Sequence, residues 1–117
     1  MKLLWKNLPK SLHGQRETLA RCLETINRVT PVQAIYLFGS HVRGQARPDS
    51  DVDLCIVAEG AERQLKTAQA FGIALRTVWP RPSFTLIPIT PQRLEEKKAI
   101  GDFFFGTILK EGVLLAA

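Results

Sequence analysis

The chain has 117 residues, enough for one domain with its own apolar core and too few for a multidomain enzyme or a repeat array. Hydrophobic residues make up 45% and charged residues 23%, which excludes a disordered or fibrous chain, and two cysteines are too few for a disulfide scaffold. Sixteen basic residues against 11 acidic give a net charge of +5, which suits an anionic partner without identifying one.

The opening Met1-Lys2-Leu3-Leu4-Trp5-Lys6 carries a positive residue, but Lys6, Asn7, Pro9 and Lys10 interrupt it too early for a signal peptide. No apolar run approaches the roughly 18 residues that a membrane span needs. The expectation is a cytoplasmic protein without a membrane partner, with Cys22 and Cys55 reduced and packed as small core residues.

Residues 1–10 read as an irregular or short helical lead-in to a single domain covering 1–117. From Ser11, a plausible N-cap, Leu12, Leu19, Leu23, Ile26 and Val29 fall on one helical stripe that Pro31 stops. Val32 to Phe38 is the first strand, Gly39-Ser40 breaks it, and His41 to Gln45 is a short helical turn. A loop over 46–50 leads to a second strand, Asp51 to Val57, apolar enough to be central. A helix then runs to about Val78, with Leu65, Ala68, Gly72, Leu75 and Trp79 on one stripe, until Pro80 and Pro82 end it. Ser83 to Thr90 is the third strand, and its Pro88 argues for a sheet edge. Thr90 as N-cap and Pro91 at the first position open another helix, Gly101 breaks it, and Gly112 ends its continuation. Val113 to Ala116 adds a short last strand. This order predicts an α/β (α+β) sandwich: a mixed sheet of three to five strands with helices mainly on one face.

The chemistry concentrates between Gly39 and Leu54. A Gly-Ser pair directly after a strand supplies flexible backbone, a free N–H and a hydroxyl, which together suit a phosphate. Asp51 and Asp53, two apart on a strand, point to the same face. Two such carboxylates repel each other unless a cation lies between them, and the pair suits Mg²⁺, which fills its other positions with phosphates and water. Val52, Leu54 and Ile56 point the other way and anchor the site on a core.

The string GSxxxGxxxxxSDxDL, from Gly39 to Leu54, resembles the minimal nucleotidyltransferases of the DNA polymerase beta-like superfamily. The run from Thr107 to Leu115 also looks like the end of such domains. The resemblance implies transfer of a nucleoside monophosphate from a magnesium-bound nucleoside triphosphate, such as ATP, to an acceptor hydroxyl. Carried over, Gly39 and Ser40 would hold the β- and γ-phosphates, with Gly44 and Ser50 completing the motif around the nucleotide. Asp51 and Asp53 would bind two Mg²⁺ ions, and Arg43 or Arg47 would add compensating charge. The resemblance also implies a helical HEPN-family protein as a toxin–antitoxin partner.

One part of the pattern is missing. The family supplies a third carboxylate from a later strand, facing the first two. Aligning Thr90-Pro91 with the usual strand end sets Thr85 at that position, and no Asp or Glu occurs from Arg63 to Leu94. A threonine hydroxyl is a poor metal ligand and no base near pH 7, so transfer is expected to be impaired. Glu59, Glu62, Asp102 or a partner's carboxylate are the remaining ways to complete the set. The alternatives are an impaired, regulatory nucleotide- or partner-binding protein and a basic nucleic-acid-binding module. Against the last, the basic residues are dispersed from Lys2 to Lys110 and do not interleave with aromatics.

His41 is expected as a solvated or phosphate-near side chain, and His13 carries no signal. Phe103-Phe104-Phe105 cannot all face one core, so one ring is exposed or the run belongs to a subunit interface, which leaves a homo-oligomer open.

Overall fold

Short runs of β-branched and aromatic residues form four strands: β1 (Ala34–Phe38), β2 (Val52–Val57), β3 (Phe84–Ile89) and β4 (Val113–Ala116). Four helices accompany them: α1 (Arg16–Val29), α2 (Gln64–Ala74), α3 (Pro91–Ala99) and α4 (Phe103–Glu111). The computed structural model describes all residues, 1–117. The strands form one sheet in the order β3-β2-β1-β4. β1 is antiparallel to both β2 and β4, whereas β2 and β3 run parallel, as the α2 crossover between them requires.

Side chains alternate across this sheet, and the two faces differ in weight. Ile35, Leu37, Val52, Leu54 and Ile56 face one way, against Leu19, Leu23 and Ile26 of α1 and Phe71 of α2, in a core of 16 buried residues. Burial of each such side chain contributes about 1.5–3 kcal/mol. Cys55, Val57 and Ile89 face the other way, against Leu94 of α3 and Phe105 and Ile108 of α4, in a core of six. The heavier helical layer therefore lies on one face, and a lighter one closes part of the other. Burial pushes the Cys55 thiol up to about 12 and also raises Cys22, so both remain protonated core residues.

Several helix boundaries follow local chemistry. Thr90 caps α3 by accepting from the Arg93 N–H at 3.1 Å, with Pro91 in the first turn. Gly101 takes a positive φ of 70°, which ends α3, and Asp102 caps α4 by accepting from the Phe105 N–H at 2.9 Å. Gly112 ends α4.

Two expectations need correction. Ser11 does not cap α1: Lys10–Gln15 is a 3₁₀ helix, α1 starts at Arg16, and Ser11 is drawn into a tertiary hydrogen bond. Leu12 is buried in line with α1, but Val29 is 40% exposed at its end. The helix after β2 is also shorter, and its stripe is phased differently. Phe71 takes the core position, and the helix tightens to 3₁₀ over Leu75–Thr77. Three residues per turn carry Val78 inward after Leu75, leaving Trp79 75% and Leu65 74% exposed.

Both sheet edges are closed. The Ile89 carbonyl accepts from the Ala58 N–H, so alternation turns Pro88, which has no N–H, to the open side of β3. The Gln64 side-chain amide donates to the Pro88 carbonyl at 2.8 Å. At the other edge the lead-in is an ordered strap: Leu3 bridges Ala116, and the Lys2 and Leu4 N–H groups donate to the Ala117 and Leu115 carbonyls.

Candidate active site

The register sets three side chains in one row on the lightly covered face: Phe38 of β1, Asp53 of β2 and Thr85 of β3. The row lies at the end of the sheet, where β1 gives way to the Gly-Ser turn. Gly39 there has φ +81°, and a Cβ on it would run into the Asp53 carboxylate. Glycine thus serves twice, for the turn and for the close approach. The Val42 and Arg43 N–H groups both donate to the Gly39 carbonyl at 3.1 Å, and the Gln45 N–H donates to the Ser40 carbonyl at 2.9 Å. Gly44, with φ +71°, then reverses the chain. Within this turn the N–H groups of Ser40 and His41 donate to nothing in the chain.

Asp51 stands exposed just before β2, and Asp53 is half-buried within it. The Thr85 hydroxyl lies 3.5 Å from Asp51 Oδ2, a weak bond at most, and also bonds toward Asp53. It therefore stands between the two carboxylates. Burial raises the Asp53 carboxyl above the usual carboxylate range, the Thr85 hydrogen bond opposes the rise, and the charge on Asp51 adds to it. His41 and Arg43 moderate it further. A carboxylate held in this way gains from a cation beside it.

Of the two expectations, the solvated one fails for His41. It is 6% exposed, and its Nδ1 pairs with Ser11 Oγ at 2.8 Å. Its Nε2 is buried without a partner. The imidazole pins the Gly-Ser turn to the 3₁₀ segment before α1. His13 bonds locally to the Leu8 carbonyl through Nε2 at 2.9 Å. Ser50 is occupied by its own turn: its Oγ accepts from the Arg47 N–H at 2.7 Å. With Asp49 it borders a separate polar depression beside Gln15 and Arg81.

Asp102, Glu59 and Glu62 are each engaged away from Asp51 and Asp53. Asp102 is held by the α4 cap and by Lys97 at 3.8 Å. Glu59, beyond the far end of β2, accepts from the Gln92 side chain at 3.4 Å, and Glu62 borders a different groove. No point in the chain gathers three or more His, Cys, Asp or Glu side chains suited to a metal ion. Two carboxylates beside the Gly-Ser turn are a donor set that fits Mg²⁺ completed by phosphates and water.

Asp53, Gly39 and Arg43 form one wall of a pocket of about 300 Å³. The opposite wall is α4, with Phe103, Phe104, Ile108 and, at its end, Glu111. No local feature of the sequence sets α4 here. Its signal was the aromatic triplet, of which Phe105 alone is buried.

A Gly-Ser turn with free N–H groups after one strand and paired carboxylates at the start of the next are the groups that a phosphate and its cation would use on an α/β domain. The nucleotidyltransferase domain family model matches residues 16–107, and the chain belongs to that family. The chain is similar to the crystal structure of a candidate nucleotidyltransferase from Sulfolobus solfataricus, with a TM-score of 0.57 and 20% identity over 90% of this chain and 82% of that one. That likeness establishes the nucleotidyltransferase fold. No curated protein matches the chain.

Proposed function

We propose that the chain binds a nucleoside triphosphate with one Mg²⁺ and slowly transfers its nucleoside monophosphate to an acceptor hydroxyl, breaking the α–β phosphate bond, releasing pyrophosphate and losing the hydroxyl's proton to water. The observation that carries this reading is the Thr85 hydroxyl standing between Asp51 and Asp53, where a further carboxylate would complete the set.

The Ser40 and His41 N–H groups and the Ser40 hydroxyl would take phosphate oxygens, with Arg43 adding charge at the pocket rim. Asp51 and Asp53 would hold the cation, relieving their mutual repulsion. Bound Mg²⁺ supplies neutralisation of developing charge and alignment of the attacking and leaving oxygens. The chain's shortfall is in moving the acceptor's proton. Thr85 donates a hydrogen bond to the carboxylates and cannot accept that proton near pH 7. General-base catalysis contributes roughly 10²–10⁴-fold, which sets the scale of the impairment.

The test is magnesium-dependent label transfer from a nucleoside triphosphate, with nucleotide affinity measured alongside. Asp51→Ala and Asp53→Ala should abolish both, and Thr85→Asp should raise transfer while retaining binding. Fast wild-type turnover that Thr85→Asp does not improve would refute the impairment. Binding without transfer, even in Thr85→Asp, would favour a regulatory nucleotide-binding protein instead.

A further inference from the structure

We propose that the α4 wall of the 300 Å³ pocket seats the base of the nucleotide, with Phe104 as the stacking surface. This rests on the nucleotide reading above. The pocket is continuous with that site, because Gly39 and Asp53 belong to both. A ligand with its phosphates on the Ser40 turn and its cation on Asp51 and Asp53 has this space directly beside it. Small-molecule sites start at about this size and are lined by apolar and aromatic side chains around a few polar groups.

The aromatic residues of this wall are not explained by folding. Phe105 is buried in the smaller core, whereas Phe104 is 47% and Phe103 86% exposed. Phe104 is nonetheless held in place. Its ring meets Phe38 edge-to-face at 6.0 Å and 88°, and Phe105 at 5.2 Å and 82°. Two T-shaped contacts fix the ring plane without covering all of it. The Asp102 cap fixes the start of α4, so the platform is oriented before any ligand arrives. An oriented, partly exposed ring beside a phosphate site is suited to a planar heteroaromatic group. Thr107 and Glu111 are the polar side chains on the same wall, available to the edge of a base. Stacking tolerates any base, so the wall distinguishes nucleotide from bare polyphosphate more sharply than one base from another.

The experiment compares the affinity of the full chain for ATP and for inorganic tripolyphosphate, both with Mg²⁺, by calorimetry. Wild type should bind ATP roughly tenfold or more tightly than tripolyphosphate, as expected for one stacked base. Phe104→Ala should remove most of that margin and leave tripolyphosphate affinity unchanged, and Phe104→Tyr should restore it. Phe103→Ala, on a largely exposed ring that tolerates truncation, should reduce the margin by less. Equal affinity for the two ligands in wild type, or an ATP margin that survives Phe104→Ala, would overturn the base assignment while leaving nucleotide binding standing. Binding of neither ligand would overturn the nucleotide reading and this inference with it.

Discussion

The two faces of the sheet are made from alternate residues of the same strands, yet they have opposite characters. On one, Val52, Leu54 and Ile56 sit without solvent contact under α1 and α2. On the other, Cys55 and Val57 are covered by α3 and α4, but Asp53, one pleat further along, meets a pocket. The closed face holds the strands rigid, so that the open end of the other can present Asp53, whose partial burial and repulsion from Asp51 are unfavourable. Alternate residues of the same strands thus build the larger core on one face and the candidate site on the other.

Substitutions that respect this division should separate the two properties. The largest effect is expected from Leu54→Ala, which should cost about 2–5 kcal/mol by denaturant unfolding and leave nucleotide affinity intact under native conditions. If affinity fell in proportion, the two faces would not be separable. Gly39→Ala crosses the division. It forces a side chain against Asp53 and into a positive-φ backbone, and should cost about 1–3 kcal/mol while lowering nucleotide affinity far more than Leu54→Ala does. Asp102→Ala removes one helix cap and should cost about 1 kcal/mol. It also frees α4, so a small weakening of ATP binding with no change for tripolyphosphate would sharpen the comparison.

The smallest effect is a slope. The Asp53 carboxyl lies above its unfolded value, so between the two values the folded chain binds more protons than the unfolded one. The favourable contribution is whole below the ordinary carboxylate range and is lost as pH rises through the raised value. Asp53→Asn removes that dependence. Its melting temperature should fall less than that of wild type across this window, measured without Mg²⁺, and exceed it slightly at neutral pH.

Legibility in the sequence followed the range of each interaction. The strands, the Thr90-Pro91 start and the Gly101 break are local decisions of propensity, capping and turn chemistry, and they stand where the sequence set them. The Gly39–Leu54 string was legible because its geometry is carried by one turn and one strand. What escaped depended on distant partners. Ser11 looked like a cap because nothing nearby shows that His41, 30 residues on, takes its hydroxyl. His41 looked solvated for the same reason. The phase of α2 is not legible locally because Phe71 and the tightened Leu75–Thr77 turn are selected by packing on α1 and the sheet. The α4 wall was invisible because a helix at the end of the chain meets a turn some 65 residues earlier only through the fold.

The strap over β4 bears on assembly. Val113 to Ala116 is a short, uncharged, wholly apolar strand of the kind that pairs readily with copies of itself. Three backbone hydrogen bonds from Lys2, Leu4 and Ala117 occupy the side it would use. Fraying of the first few residues would therefore uncover a self-complementary edge while every element of the site stayed in place. The earliest failure of this domain would be cross-chain strand pairing in a molecule whose pocket is still formed.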